Sequence, residues 1–262
     1  MTKYILSVLF IFSLQLTILA QVTKLKGVYQ GNNLYVMNPI VSSGGGFCIE
    51  EVKVNGQVTK DEINASAFEI DLSQFHLRKG APVSIEIKHK KGCSPKIVNP
   101  TAIQPKSTFR VTKISVGRDK ILRWTTVGEA GSLDFIVEQY RWNKWVKVAT
   151  VKGKGTAKAN YYTVAIKPHS GENKFRIKQK DFSRKSRYSK EVLYRSMSPK
   201  VTFSPKKPNK IITFSAPTRY EIYNYYGKIV AKGYGNKVDI SKLKSGDYFL
   251  NFDNTMVSFK KK

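Results

Sequence analysis

Val83-Ser84-Ile85-Glu86-Ile87-Lys88 sets three aliphatic side chains against three polar ones in strict alternation. Successive side chains of an extended strand point to opposite faces, so this stretch has one face for a core and one for water. The same period of two recurs along the chain, and helical periodicity is almost absent. The sequence therefore reads as all-β. Leu34-Tyr35-Val36, Phe47 to Val54 and Phe68 to Leu72 supply further strands around it. They are separated by Gly31-Asn32-Asn33, Gly44-Gly45-Gly46, Asn55-Gly56 and Lys79-Gly80. Asn55-Gly56 is the sharpest hairpin signal, because both residue types tolerate positive φ.

Outward from that stretch the chain divides at its prolines. Pro100 and Pro105 bracket a first boundary. Seven candidate strands follow: Phe109 to Val116, Lys120 to Thr126, Leu133 to Tyr140, Lys144 to Val151, Tyr161 to Ile166, Lys174 to Lys180 and Arg187 to Tyr194. That number and spacing suit a small β-sandwich, with Trp124 placed on the second strand to be buried. Pro199, Pro205 and Pro208 mark a second boundary, read as a basic linker. Beyond it come shorter strands with tight turns at Gly227, Gly233, Gly235 and Gly246. The expected organisation is three small β-sandwich domains in tandem, over residues 21–105, 106–198 and 199–262.

Residues 1–20 carry a single charge, Lys3, before an apolar run from Tyr4 to Ala20, and Leu19-Ala20-Gln21 has the form of a cleavage site. This is the pattern of a secretory signal peptide, and the run is at the short limit for a bilayer anchor. Charge is unequal among the segments that follow. Val22 to Pro105 holds 10 basic and 7 acidic residues, Lys106 to Ser198 holds 22 and 7, and Pro199 to Lys262 holds 13 and 4. Such a field attracts polyanions. For an exported chain the expected partners are anionic lipopolysaccharide, anionic lipid or acidic protein, and no nucleic acid.

Cys48 and Cys93 are the only cysteines, both in the first segment. In an oxidising compartment they are expected to pair, closing a loop that contributes on the order of 3 to 4 kcal/mol. A zinc site drawing on Cys48, Cys93, His76 and His89 lacks the usual ligand spacing. Among the histidines, His76, His89 and His169, none falls in a catalytic motif, and each is read as a surface or turn residue. The adjacent pairs Glu50-Glu51 and Asp61-Glu62 point to opposite faces of a strand and make no acid and base dyad. No enzyme activity and no cofactor are expected.

Two surface features stand out. From Phe175 to Lys190, Arg176, Lys178 and Lys180 are expected on one exposed face, followed by Arg184, Lys185, Arg187 and Lys190. The run suits either a solvated sheet edge or a docking surface for a phosphate-bearing glycolipid or an acidic partner. Aromatics flank two expected hairpins, Tyr140, Trp142 and Trp145 at one and Tyr223, Tyr225 and Tyr226 at the other. Such groups stabilise sheets across strands, and Trp142 is a possible platform for a sugar.

Tyr220-Glu221-Ile222-Tyr223-Asn224, Gly227-Lys228-Ile229-Val230, Val238 to Leu243, Ser245 to Leu250 and the terminal Phe259 to Lys262 follow one another in an order that resembles the type A C-terminal sorting domain of the type IX secretion system of Bacteroidetes. On this resemblance Tyr223, Gly227, Asp239, Gly246 and Tyr248 are the motif residues. Asp239 or Ser241 would cap a brief helical turn at Ser241 to Lys244, and Lys260-Lys261-Lys262 would be freely available. Val201-Thr202-Phe203-Ser204-Pro205 stands where such domains usually have a Tyr-Pro-Asn-Pro-like strand. Trp124-Thr125-Thr126, Glu129, Phe135 to Glu138, Trp145 and Phe175 to Gln179 resemble the fibronectin-like module that often precedes it. The whole chain is similar to the PorA-like group of small sorting-domain proteins. The resemblance implies type IX secretion components or a periplasmic sensor as partners, and a destination in the periplasm, outer membrane or cell surface. An adhesin that binds glycan through the first domain is a third reading.

Overall fold

The computed structural model describes residues 21–42 and 45–262. The expected signal peptide, residues 1–20, and Gly44 of the triglycine turn lie outside them. Contacts divide the chain into two compact units.

The first unit holds most of residues 21–103. Its strands are β1 (Gln21–Val28), β2 (Leu34–Met37), β3 (Ile49–Val54), β4 (Gln57–Val58), β5 (Ala67–Ile70), β6 (Pro82–His89) and β7 (Lys96–Ile97). They form a sheet of order β1-β6-β3-β4 and a second of order β5-β2-β7. β6 carries the deciding alternation: Val83, Ile85 and Ile87 are all buried, and Ile85 and Ile87 lie opposite Val54 and Val52 of β3. Each such side chain contributes about 1.5–3 kcal/mol by leaving water. On the wet face Glu86 pairs with Lys24 at 3.0 Å. Asn55 and Gly56 turn the β3–β4 hairpin at φ 50° and 85°. The expected strands are trimmed at their ends. β3 starts at Ile49, and Leu72 opens a 3-10 turn, Leu72–Phe75, whose entry Asp71 caps by accepting from the Ser73 N–H.

Cys48 and Cys93 form a disulfide closing a loop of 45 residues. His89 lies beside it, with ligand atoms of all three residues within 4.8 Å of one another. With both sulfurs oxidised, no thiolate is available there to bind metal. His89 is not a surface residue as expected from sequence. Its place on the inner face of β6 buries it, with Nε2 3.1 Å from the Thr23 hydroxyl and Nδ1 3.1 Å from the Lys90 carbonyl.

The second unit runs through residues 104–262 and contains two cores. Its first sandwich packs the sheet β12-β9-β8 against β11-β10-β13. These strands are β8 (Arg110–Val116), β9 (Ile121–Val127), β10 (Phe135–Arg141), β11 (Lys144–Val151), β12 (Asn160–Ala165) and β13 (Gly171–Lys180). Trp124 on β9 stacks on Tyr162 at 5.0 Å, and Phe135 meets Phe109 and Tyr162 edge-on, each at 5.0 Å. Such pairs add about 0.5–1.5 kcal/mol beyond area burial. Buried Glu129 completes this core. Its carboxylate accepts from Thr126, from Tyr162 at 2.8 Å and from the Gly155 N–H at 2.7 Å. Burial, with Glu129 beside it, pushes the Tyr162 phenol up to about 12.

The strand expected over Arg187 to Tyr194 is two strands, β14 (Ser186–Tyr188) and β15 (Val192–Ser196). Both pair with β13, one near each end. Between them Ser189 donates its N–H to the Ile177 carbonyl, and its hydroxyl accepts from the Ile177 N–H, at 2.8 and 2.9 Å. A side chain has taken the place of a ladder carbonyl, which breaks the strand there.

The last sandwich is built from β16 (Phe203–Ser204), β17 (Ile211–Asn224), β18 (Ile229–Asp239), β19 (Gly246–Phe252) and β20 (Thr255–Lys261). The order is β16-β17-β19-β20, with β18 on the other edge of β17. Register breaks between Thr213 and Thr218, where Pro217 can donate no ladder hydrogen bond. Val201 and Phe203 are buried in this core with Phe214, Phe252 and Leu250. The stretch after Pro199 is therefore the entry strand of the last sandwich and not a linker. Apolar residues at alternate positions override the proline signal.

Candidate recognition surfaces of the last domain

The expected motif residues fall at separate places in the last sandwich, and they do not converge on a pocket. Gly227 closes the β17–β18 hairpin at φ 73°, with its N–H donating to Asn224 O at 3.0 Å. Asp239 accepts from the Ser241 N–H at 2.7 Å, a contact that holds its carboxyl below the usual range. The segment it caps is a turn and not a helix, since Leu243 N–H reaches only back to Ile240 O. Gly246 opens β19 at φ 146°, a conformation L side chains rarely adopt. Tyr248 is buried, stacks on Phe259 at 5.6 Å and donates its hydroxyl to the Lys244 carbonyl at 2.9 Å. Tyr223 faces the preceding sandwich. It accepts from Lys144 Nζ at 2.6 Å and donates to Glu221, which itself pairs with Lys144 at 2.6 Å. Burial and Glu221 raise the Tyr223 phenol, and Lys144 partly offsets them.

Three expectations are corrected here. Gly233 and Gly235 are not turns, because both lie within β18. Gly233 sits opposite Tyr220, and a Cβ there would meet the Tyr220 hydroxyl at 2.7 Å, so the ring covers the bare glycine backbone. Lys260-Lys261-Lys262 is not a free tail. β20 runs to Lys261, which is buried, and the Lys262 N–H donates to Pro208 O at 3.2 Å. Tyr225 and Tyr226 do not flank the hairpin but form its tip, 77% and 90% exposed. Their position directly before Gly227 was the signal for this, since a tight turn has no interior in which to bury two adjacent rings.

The basic face is also only partly as expected. Arg176 and Lys178 share a face of β13, but neither is free. Arg176 Nε donates to buried Glu138 at 2.7 Å, and Lys178 Nζ lies 3.6 Å from the same carboxylate. The Arg176 guanidinium also lies between Trp145 and Tyr188, 4.1 and 4.3 Å from their ring centres. Lys180, Arg184, Lys185, Arg187 and Lys190 are exposed, and the Arg187 Nε donates to the Ser107 carbonyl. Asp181 organises this loop by accepting from Ser183 and from the Lys185 N–H. Burial raises its carboxyl, but these contacts outweigh that and hold it low.

Trp142 is buried and cannot serve as an open sugar platform. It occupies, with Asn143, a two-residue turn at φ 51° and 58°. A bulky residue at positive φ is strained, and persists where packing over-determines it. Behind that turn lies Arg141, only 2% exposed, which donates Nη2 to Gln139 at 2.7 Å. Gln139 donates in turn to Asn173, and Asn173 receives the His169 N–H at 3.0 Å, so His169 is buried and not a surface turn. Burial keeps the His169 imidazole below its ordinary value. Asp253, also buried, accepts from the Ser170 N–H at 2.9 Å, from the Ser170 hydroxyl and from the Val201 N–H. Its own N–H donates to Thr218 at 3.0 Å, so one carboxylate residue ties three segments of the second unit together.

This architecture is one of β-sandwich domains in tandem, built almost wholly of strands. Residues 204–262 match the family model of the secretion system C-terminal sorting domain. Among solved structures, the chain is similar to a tetra-tandem repeat in the extending region of a large adhesion protein, at 12% identity and TM-score 0.27, covering 92% of this chain and 72% of that one. It is also similar to the FN1–FN3 domains of chicken CNTN1, at 9% identity and TM-score 0.24 over 93% and 97% of the two chains. The fibronectin(III)-like modules of Clostridium thermocellum CbhA match at 14% identity and TM-score 0.21, over 59% and 93%. No curated protein matches in sequence.

Proposed function

We propose that this is an exported, non-enzymatic protein of the cell envelope whose last domain is the address read by a type IX secretion apparatus. The match of residues 204–262 to the sorting-domain family carries this reading. The domain has its own core, so it can be recognised as a folded object. Tyr223 apart, the motif residues are turn formers and a core member, so they specify the shape. Exposed groups such as Tyr225 and Tyr226 are then what a receptor touches. The order of domains supports the finer likeness to the PorA-like group, and with it a periplasmic sensor as partner. Cells producing the full chain and a chain ending at Ser198 test the export reading by fractionation. The full chain is expected at the outer membrane or surface and the shortened chain in the periplasm. An identical distribution would remove the sorting role.

A second reading, polyanion binding, is favoured by the exposed loop cations after β13. The triple change Arg184→Gln, Lys185→Gln and Lys190→Gln is expected to weaken retention on immobilised lipopolysaccharide, most clearly at low salt, since screening shortens to about 8 Å at physiological ionic strength. Arg176→Gln is expected to act differently. It should cost about 1–3 kcal/mol of stability by taking from buried Glu138 its hydrogen-bond donor and leaving it only Lys178 at 3.6 Å, with little change in retention.

A further inference from the structure

Arg141 is the least satisfied charged group among the described residues. It is 98% removed from solvent, yet its Nε and Nη1 have no hydrogen-bond partner among the described residues. A buried guanidinium normally has its donors met, because an unpaired buried charge is strongly unfavourable. Arg141 lines a cleft of about 490 Å³ in the second unit, between the loop Ile166–Ser170, the entry segment at Ser198–Val201 and the bend of β17. Lys120, Lys167, Lys200 and Arg219 line the same cleft, and Asp253 is its one carboxylate. Lys120, Lys200 and Arg219 make no ion pair among the described residues, and Asp253 is already engaged by Ser170 and Val201. Lys167 stands 3.8 Å over the Tyr234 ring.

Five cations thus line one open cleft, Arg141 buried in its wall and Lys120, Lys167 and Lys200 exposed. Burial, and then the positive Arg219 nearby, bring the Arg141 guanidinium down to about 10. Like charges lining one cleft, among them a buried guanidinium with two nitrogens unmet, are the arrangement an anion completes. The volume is that of a site for a small molecule.

We propose that this cleft binds a phosphate monoester carried on a group of monosaccharide size, with the phosphate meeting Arg141, Arg219 and Lys200. A dianion suits a site with so large a cationic excess better than a single carboxylate does. The inference does not depend on the export reading, since none of the motif residues Tyr223, Gly227, Asp239, Gly246 and Tyr248 lines the cleft.

Isothermal titration of the chain Gln21–Lys262 with glucose 1-phosphate, at constant ionic strength in chloride, tests it. Saturable binding is expected, tighter than that of inorganic phosphate or of glucuronate. The double variant Arg219→Gln and Lys200→Gln touches no core packing and is expected to weaken binding by about tenfold or more. Arg141→Met is expected to abolish binding, and because the change also takes the Nη2 donor from buried Gln139, the melting temperature is read beside it to separate loss of the site from loss of the fold. Three results would overturn the proposal: no saturable binding, glucuronate binding as tightly as glucose 1-phosphate, or binding unmoved by the Arg219 and Lys200 changes.

Discussion

Chains carrying Tyr248→Ala or Gly246→Val should accumulate short of the final destination, with the sandwich of residues 106–198 still folded. Tyr248 is buried, stacked on Phe259 and hydrogen-bonded to Lys244 O. Removing its ring costs about 3–5 kcal/mol, by lost transfer energy and by the cavity left behind. Gly246 holds φ 146° with open space where a Cβ would go. Its replacement by valine therefore acts through backbone strain, about 1–3 kcal/mol, and not through a clash. A small domain has roughly 5–15 kcal/mol of stability in all, so either change raises the unfolded fraction steeply. Fractionation and surface labelling report the location, and proteolysis of the purified variants reports which sandwich has loosened. Lys88→Gln in the first unit is the control. Parent-like amounts of both variants at the surface would mean that the last domain is a structural module and not an address.

Replacing Cys48 and Cys93 together by serine should loosen the first unit and leave the second unchanged. The 45-residue loop they close corresponds to about 3–4 kcal/mol in the chain-entropy picture, a large share of what a unit of this size possesses. A loss of that size lowers the melting temperature of a 60–100-residue domain by more than about 10 °C. Hydrogen exchange resolved by peptide locates the effect. β3 and β6 should lose protection, whereas β9, β10 and β13 keep theirs. The severed crosslink lies beside His89, whose ring is held by Thr23 and Lys90, so the inner face of β6 is where exchange should accelerate first. Unchanged protection of β6 would show that packing alone holds this unit.

The elements read most accurately from sequence are those whose physics is local. Alternation at Val83 to Lys88 put three aliphatic groups into a core because a strand has only two faces. Asn55-Gly56 turned because those residues accept positive φ, and Trp124 was buried because it shares the inward face of its strand with Leu122 and Thr126. Misreadings arose where a long-range partner overrode a local rule. Pro199 and Pro205 signalled a linker, yet Val201 and Phe203 between them pack with Phe214 and Phe252. Gly233 signalled a turn, yet Tyr220 on the neighbouring strand covers it.

The candidate sites divide in the same way. The order of turn and core residues over the last sixty or so positions was enough for the sequence to specify an all-β chain ending in a sorting-like domain, since each of those residues answers to a backbone demand of its own segment. Which charges are free was decided by tertiary structure alone. Arg176 and Lys178 look no different in sequence from Lys185 or Lys190, but Glu138 comes from another strand to neutralise the first two. Arg141 falls just past the strand expected over Leu133 to Tyr140, and nothing in the sequence marks it. Only the packing of two sandwiches around it removes its water, leaves its Nε and Nη1 unmet and opens a cationic cleft against it, because burial and the distance between groups far apart in the chain are properties of the folded state.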